Sequence, residues 1–295
     1  MKITFKRPSS IHKTGAKKEE NAPSHFSKKE HSPLYFLLYF LLIVGICIGI
    51  AVLARIFFLV SKSTFSTASY SVLIVSQNPF IVSLDTTSPK LNLVTVASPI
   101  QKNRIKESLS LGIPIDGEIL ASSQNLSKDS FPDVMLAVNM MFRPWLYSHQ
   151  DMTIIDALRL VYASFSVSQS TGTSSYTIQR SKTGDILGVS SSQLYDIFKD
   201  PVIINEQVSI EIVNATSVQG LAGSAAQVLK NAGCNVISVT SGDIENFSMI
   251  VANSSSVTLT RVSHVLGIPF KIDPSFHGIT DMRIVLGQDF GNKAQ

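Results

Sequence analysis

The sequence predicts an α/β protein: a single N-terminal transmembrane helix followed by an α/β region and a small C-terminal α/β sandwich domain. Three observations carry this. Leu34 to Ala54 is a run of 21 residues without a formal charge, which as a helix rising about 1.5 Å per residue matches one bilayer core. Beyond it, strand-like and helix-like segments alternate, the signature of mixed α/β layers. From Val208 to Phe290 the periodicity is cleaner than anywhere before, which sets a boundary near 201–207. The chain of 295 residues is 44% hydrophobic and 16% charged, so disordered and collagen-like classes are excluded.

In order, the expected parts are a basic cytoplasmic tail (1–33), the transmembrane helix (34–60), a Ser/Thr-rich stalk (61–69), an α/β region (70–200), a linker (201–207) and the C-terminal domain (208–290). The tail holds eight Lys/Arg against three Glu, a net +5 within a chain total of +4. A cleaved signal peptide has a shorter apolar region, about 7–15 residues, so an uncleaved anchor is expected. The basic excess before the span places the N-terminus in the cytoplasm and the rest outside a cell membrane. The tail can also touch anionic lipid headgroups, which makes membrane lipid an expected partner. From Thr64 onward 15 basic residues face 18 acidic ones. That balance argues against a nucleic-acid partner. Cys47 lies in the span and Cys234 is the other cysteine, and no Cys/His cluster or HExxH motif occurs. No metal site is therefore expected.

Tyr70–Val75, Phe80–Leu84 and Leu91–Ala97 are rich in Val, Ile and Leu and read as strands. A helix follows over about Gln101–Leu111, ended by Gly112, and then an extended Ile113-Pro114-Ile115. Thr153 with Asp156 starts a second helix, with Ile154, Ile155, Leu158, Val161 and Tyr162 on one face. Residues 163–192 are Ser-, Thr- and Gln-rich and read as hairpin or loop. Ser190–Lys199 reads as a short helix stopped at Asp200-Pro201. In the C-terminal part, Val208–Val213 is a strand, Asn214–Gly220 a turn-rich loop, and Leu221–Ala232 a helix capped by Gly233. Strands at Asn235–Thr240 and Phe247–Ala252, a helix over about Ser256–Leu266 ended by Gly267, an extended Ile268–Ile272 and a strand Met282–Leu286 complete it. Leu111-Gly112-Ile113-Pro114-Ile115 and Leu266-Gly267-Ile268-Pro269-Phe270 echo each other as helix-to-strand connectors.

The stretch Glu206 to Val239, EQVSIEIVNATSVQGLAGSAAQVLKNAGCNVISV, with Leu286-Gly287-Gln288-Asp289 at its far end, resembles the LytR C-terminal domain family. Ala215 departs from the glycine frequent there, which would make the turn less permissive. That family commonly follows a LytR-CpsA-Psr catalytic domain on a chain with one N-terminal membrane helix. Residues 72–120 resemble a degenerate form of it: SQNPFIVSLD (76–85) and LVTVASP (93–99) align with its usual segments. The resemblance implies that Gln77 stands at a metal-binding aspartate and Ser98-Pro99 at an Arg-Asp pair. Transfer from a polyprenyl pyrophosphate needs metal-bound carboxylates and several guanidinium groups, which Gln, Ser and Pro cannot replace. If the alignment is shifted, Asp85, Asp116 and Glu118 are the alternative carboxylates, and magnesium the cofactor of that alternative; otherwise neither catalytic residue nor cofactor is expected.

Two ligand-binding candidates remain. Asn214, Thr216 and Gly220 precede a helix N-terminus whose N–H groups can hold an anion, or they only shape an Asx-type loop. Met140, Met141, Phe142, Trp145 and Tyr147 form a cluster that can contact lipid or an apolar ligand, or is simply core. His149, His264 and His277 are dispersed, and four Asn-x-Ser/Thr sequons (Asn125, Asn214, Asn246, Asn253) occur in an Asn-, Ser- and Thr-rich chain. The expected function is a membrane-anchored cell-envelope protein that binds or scaffolds at the wall, with wall glycopolymer or a polyprenyl-linked precursor as partner. The alternative is a magnesium-dependent phosphotransferase attaching polyprenyl-linked glycopolymers to the wall.

Overall fold

The computed structural model describes residues 33–61, 68–87, 89–97, 100, 103–121, 147–171, 173–180 and 186–294. They fall into two compact units divided between Ala54 and Arg55. The first holds most of helix α1, Pro33–Ser61. Among the described residues, one helix is long and apolar enough to cross a membrane, over Tyr35–Arg55, 21 residues of mean hydropathy 3.0.

The second unit is mixed α/β and contains two sheets. The first has seven strands: β1 (Ser69–Val75), β2 (Phe80–Asp85), β3 (Lys90–Val96), β4 (Gly117–Ala121), β5 (Tyr147–Gln150), β6 (Thr173–Arg180) and β7 (Ile186–Leu187), in the order β5-β4-β1-β2-β3-β6-β7. β1 runs parallel to β4 and β3 parallel to β6, with β2 antiparallel between β1 and β3. Both faces are covered, so β1 and β2 read as continuous apolar runs rather than alternating ones. On one face Tyr70, Val72, Ile74, Phe80 and Val82 pack against helix α3 (Ile154–Thr171) through Ala157, Leu160 and Val161. On the other, Leu73, Ile81 and Val94 pack with Leu111 of α2 (Arg104–Leu111) and with Leu194, Ile197 and Phe198 of α4 (Ser191–Phe198).

The second sheet has five strands: β8 (Ser209–Asn214), β9 (Asn235–Ser241), β10 (Met249–Ala252), β11 (Phe270–Ile272) and β12 (Met282–Leu286), ordered β11-β10-β12-β8-β9. Helices α6 (Leu221–Asn231) and α7 (Val257–Leu266) bury Leu221, Ala225, Val228, Leu229, Leu259, Val262, Val265 and Leu266 against its Ile210, Ile212, Ile250 and Ile284. Leu109 of α2 belongs to the same core, so α2 is shared between the two sheets.

Several expectations need correction. The first-sheet helix starts at Arg104, not near Gln101, because Asn103 caps it by accepting from the N–H groups of Ile105 and Lys106. Thr153 and Asp156 do form a reciprocal capping box, but Tyr162 points to solvent, 74% exposed, while Ala157, Leu160 and Val161 face the sheet. Residues 163–171 are helix, not loop, because Ser164 and Val167 continue the buried stripe. Gly117–Ala121 and Tyr147–Gln150 are strands, though no strand is expected there. Residues 201–206 of the expected linker form helix α5 (Pro201–Glu206), with Asp200 as N-cap and Pro201 in the first turn, where its missing N–H costs nothing. A last helix, α8 (Gln288–Ala294), follows β12.

The two echoing connectors adopt one geometry. Gly112 has φ 61° and Gly267 φ 63°, in the left-handed region that closes a helix. In each, the isoleucine after the glycine donates its N–H back to a serine carbonyl, Ile113 to Ser108 and Ile268 to Ser263, both at 3.1 Å. That serine's hydroxyl donates to the same isoleucine's carbonyl, at 2.6 and 2.7 Å.

Candidate functional site

The parallel strands of the first sheet end together, and open α/β sheets bind ligands outside such carboxyl ends. Here a cavity of about 540 Å³ opens between the end of β1, the β1–β2 turn and the end of β3. Val75, Ser76, Gln77, Asn78 and Pro79 line it from one side, Thr95, Val96, Ala97 and Ile100 from the other. The Pro79 carbonyl accepts from the Val96 N–H and the Ile178 carbonyl from the Ala97 N–H, which fixes the floor to the sheet. Gln77, at the expected metal-aspartate position, is part of this wall; Ser98 and Pro99 lie outside the described residues. No described wall residue carries a charge. Among the described residues no group of three or more His, Cys, Asp or Glu is placed to hold a metal.

The alternative carboxylates are elsewhere. Asp85 pairs in register with Ser69, at the opposite end of β1 from the cavity. Asp116 is there too, its N–H donating to the Ser71 carbonyl and its carboxylate accepting from the Ser71 N–H at 2.8 Å. Glu118 is buried opposite Leu73 in mid-strand, and burial pushes its carboxyl above the ordinary range despite the Arg104 guanidinium.

At that opposite end the buried charges converge. Arg261 of α7 donates from Nη2 to Asp116 and from Nη1 to Asp200, both at 2.8 Å, and also to the Ser69 carbonyl. All three charged side chains are at most 2% exposed. Arg104 of α2 donates from Nη1 to the Val265 carbonyl at 3.0 Å and from Nη2 to the His264 carbonyl at 3.1 Å, and reaches the Ile115 carbonyl as well. It thus closes the C-terminus of α7, the end of the helix that favours a cation. The ring of His264 bonds the Asp116 carbonyl at 2.6 Å, and burial holds its pKa below the usual value. Asn231 of α6 donates to the Gly112 carbonyl at 2.7 Å. These groups join the two sheets. Sequence reasoning missed them, although one signal was present: Arg261 shares the inward stripe of α7 with Thr258 and Val265 at helical spacing. An arginine there needs buried partners.

The loop from Asn214 to Gly220 connects β8 to α6. Asn214 Oδ1 accepts from the Thr216 N–H and hydroxyl at 3.2 and 2.7 Å, and its amide donates to the Val218 carbonyl at 2.9 Å. Thr216 Oγ1 in turn accepts from the Val218 N–H at 3.0 Å. Both side chains are engaged within the loop, the geometry of the Asx reading. Gly220 takes φ 78° immediately before the helix. Ala215 is not among the described non-glycine residues of positive φ, so alanine fits where the turn was expected to prefer glycine. Trp145, with Met140, Met141 and Phe142, lies outside the described residues. His149 pairs with Ile119 in β4–β5.

A second cavity, of about 250 Å³, lies beside Glu206, Asn253 and Asp281. Its carboxylates serve the fold: Glu206 accepts from the N–H groups of Val257 and Thr258 at the start of α7, and Asp281 from the N–H and hydroxyl of Ser209. Both stay below the usual carboxylate range. At Asp281 the Ser209 hydroxyl is the main cause; at Glu206 burial opposes the shift and the bonds from Thr258 and Val257 outweigh it.

Residues 207–290 match the family model LytR_C, described as LytR cell envelope-related transcriptional attenuator. The match covers the second sheet and its helices and implies a cell-envelope-associated protein. No curated protein matches the chain, and no solved structure matches it.

Proposed function

We propose that this chain is a single-pass membrane protein, N-terminus in the cytoplasm, whose exterior unit is a non-catalytic binding or scaffolding module at the cell wall. The carrying observation is the cavity at the ends of β1 and β3, where Gln77, Asn78 and Thr95 stand and no described wall residue is charged. Phosphoryl transfer from a polyprenyl pyrophosphate needs a metal and cationic groups at the reacting phosphates. Arg104 and Arg261 are committed to carbonyls and carboxylates at the joint between the sheets, away from the cavity. The acidic balance of the exterior also favours wall material over nucleic acid as partner.

The test uses the full chain in detergent micelles, incubated with purified wall glycopolymer and, separately, with a polyprenyl-pyrophosphate-linked precursor and peptidoglycan. Retention of glycopolymer equally with and without magnesium, and no transfer product, is the expected result. Magnesium-dependent formation of glycopolymer-linked peptidoglycan would establish the phosphotransferase instead.

A further inference from the structure

An exposed sheet edge is a row of backbone N–H and C=O groups open to another strand, and folded chains blunt such edges with short strands, lysine, proline or bulges. Of the four edge strands among the described residues, three are short: β7 has two residues, β11 three and β5 four. β11 also carries Lys271 at its centre, exposed. β9 is different. Its seven residues, NVISVTS, hold no charge and no proline, and Ile237 and Val239 are 51% and 45% exposed. A bulge at Ile237, which the β8 register skips, is its one blunting device, and Ser238–Ser241 beyond it run in unbroken register with Glu211–Asn214. Ser238 pairs with Glu211 and Val239 with Ile212, so alternation puts Ile237 and Val239 together on the face that α6 covers.

We propose that β9 pairs antiparallel with β9 of a second copy of this chain, joining two five-stranded sheets into one about a two-fold axis at Ser238. With Ser238 opposite Ser238 of the other copy, Ile237 of each lies opposite Val239 of the other. Apolar side chains that stand half exposed in one copy then cover one another as cross-strand pairs. The charges select this partner and this direction. From Leu221 to Ile250 the charged residues are Lys230, before β9, and Asp243 and Glu245, after it, all exposed. Antiparallel pairing sets Lys230 of each copy toward Asp243 and Glu245 of the other, whereas parallel pairing would set like charge on like. The strand is thus complementary to itself, by apolar pairing at its centre and by charge at its flanks. A foreign extended segment would need the same apolar centre and base-to-acid order that β9 itself supplies. The contact also closes: a two-fold pairing uses both β9 edges, and the edges left on the joined sheet are the short β11 strands with Lys271.

The test is oxidative cross-linking and sedimentation of the full chain in micelles. For cross-linking, Cys47→Ser removes the exposed thiol of the apolar helix, while Cys234 is buried. Residues directly opposite in an antiparallel pair have Cα atoms about 4.5–5.5 Å apart, within disulfide reach. Ser238→Cys is expected to give a disulfide-linked dimer, and Lys271→Cys on the other edge is expected to give none. Sedimentation of the wild-type chain is expected to show a monomer–dimer equilibrium. Val239→Lys should weaken it about tenfold, because each substitution counts twice in a two-fold contact. Val239 is exposed, so the circular dichroism of that variant should match wild type. Lys230→Glu should weaken the dimer about threefold, and adding Asp243→Lys and Glu245→Lys should restore it. Ser238→Cys cross-linking no faster than Lys271→Cys, or a charge swap that restores nothing, would overturn the proposal. A monomeric wild-type chain would leave β9 to a foreign strand and overturn it too. A dimer indifferent to Val239→Lys but lost in Gly45→Leu/Gly49→Leu would place the contact in α1 instead, where glycines four apart let membrane helices pack closely.

Discussion

The two ends of strand β1 lie about 20 Å apart at the usual strand rise, and they are chemically opposite. At Ser69 and Ser71 the strand meets Asp116, Arg261 and Asp200 in a buried charge cluster. At Val75 it opens on a cavity with no described charged wall residue. A catalyst of phosphoryl transfer would want the reverse, with guanidinium groups and carboxylates at the open end. Here the buried arginines face inward, where they fix the C-terminal sheet and its helices to the first sheet. The C-terminal part is therefore not a loosely tethered appendage. Its α7 carries Arg261 and His264 into the first sheet's end, and its α6 carries Asn231 to the Gly112 connector.

The largest expected effect breaks the charged end. Arg261→Met leaves Asp116 and Asp200 buried without their cation, and should cost about 3–5 kcal/mol in denaturant unfolding. Adding Asp116→Asn and Asp200→Asn should recover part of that loss, because the uncompensated charges are then gone. A loss below about 1 kcal/mol for Arg261→Met would show that charge does not hold the joint. Next comes Asn231→Ala, which strands the Gly112 carbonyl and should cost about 1–3 kcal/mol.

A smaller, pH-dependent effect sharpens the same end. His264 has a pKa lowered by burial, so the unfolded chain takes up its proton more readily than the folded one. Its contribution to stability is complete above about pH 6.5, the unfolded value, and is lost as pH falls toward the folded one. Glu118, raised by burial, acts in the opposite sense, favouring the fold at low pH. Subtracting the stability curve of His264→Gln from that of wild type isolates the histidine: the difference should shrink as pH drops below about 6.5. A difference that is flat across that range would contradict the assignment. The smallest effect belongs to the cavity end. Gln77→Ala should change unfolding stability by no more than about 0.5 kcal/mol, because the side chain is exposed and makes no hydrogen bond with the described residues.

Much of the fold was legible in the sequence because its signals are local. Val208–Val213, the helix from Leu221 and the glycine caps at Gly112 and Gly267 each announce themselves within one turn or strand. What was hidden depends on tertiary contacts. Gly117–Ala121 follows Asp116 and contains Glu118, a polar opening that reads as loop until β1 pairs with it. Ser164, Ser166, Ser168 and Ser170 argue against a helix to Thr171, yet burial of Ser164 and Val167 on the first sheet extends it. Of the candidate site, the neutrality at Gln77 was readable in the sequence. The cavity was not, since it requires β1 and β3 to end side by side. The joint was hidden for the same reason, as Arg104 and Arg261 stand 157 positions apart in the sequence and meet Asp116 and Val265 only once both sheets are formed.

One titration tests the central claim most directly: isothermal calorimetry of magnesium and inorganic pyrophosphate into the full chain in micelles at neutral pH. With no described charge at the open end of β1 and Arg104 and Arg261 engaged in the joint, no saturable heat is expected. Saturable, magnesium-dependent pyrophosphate binding that Gln77→Ala abolishes would contradict it.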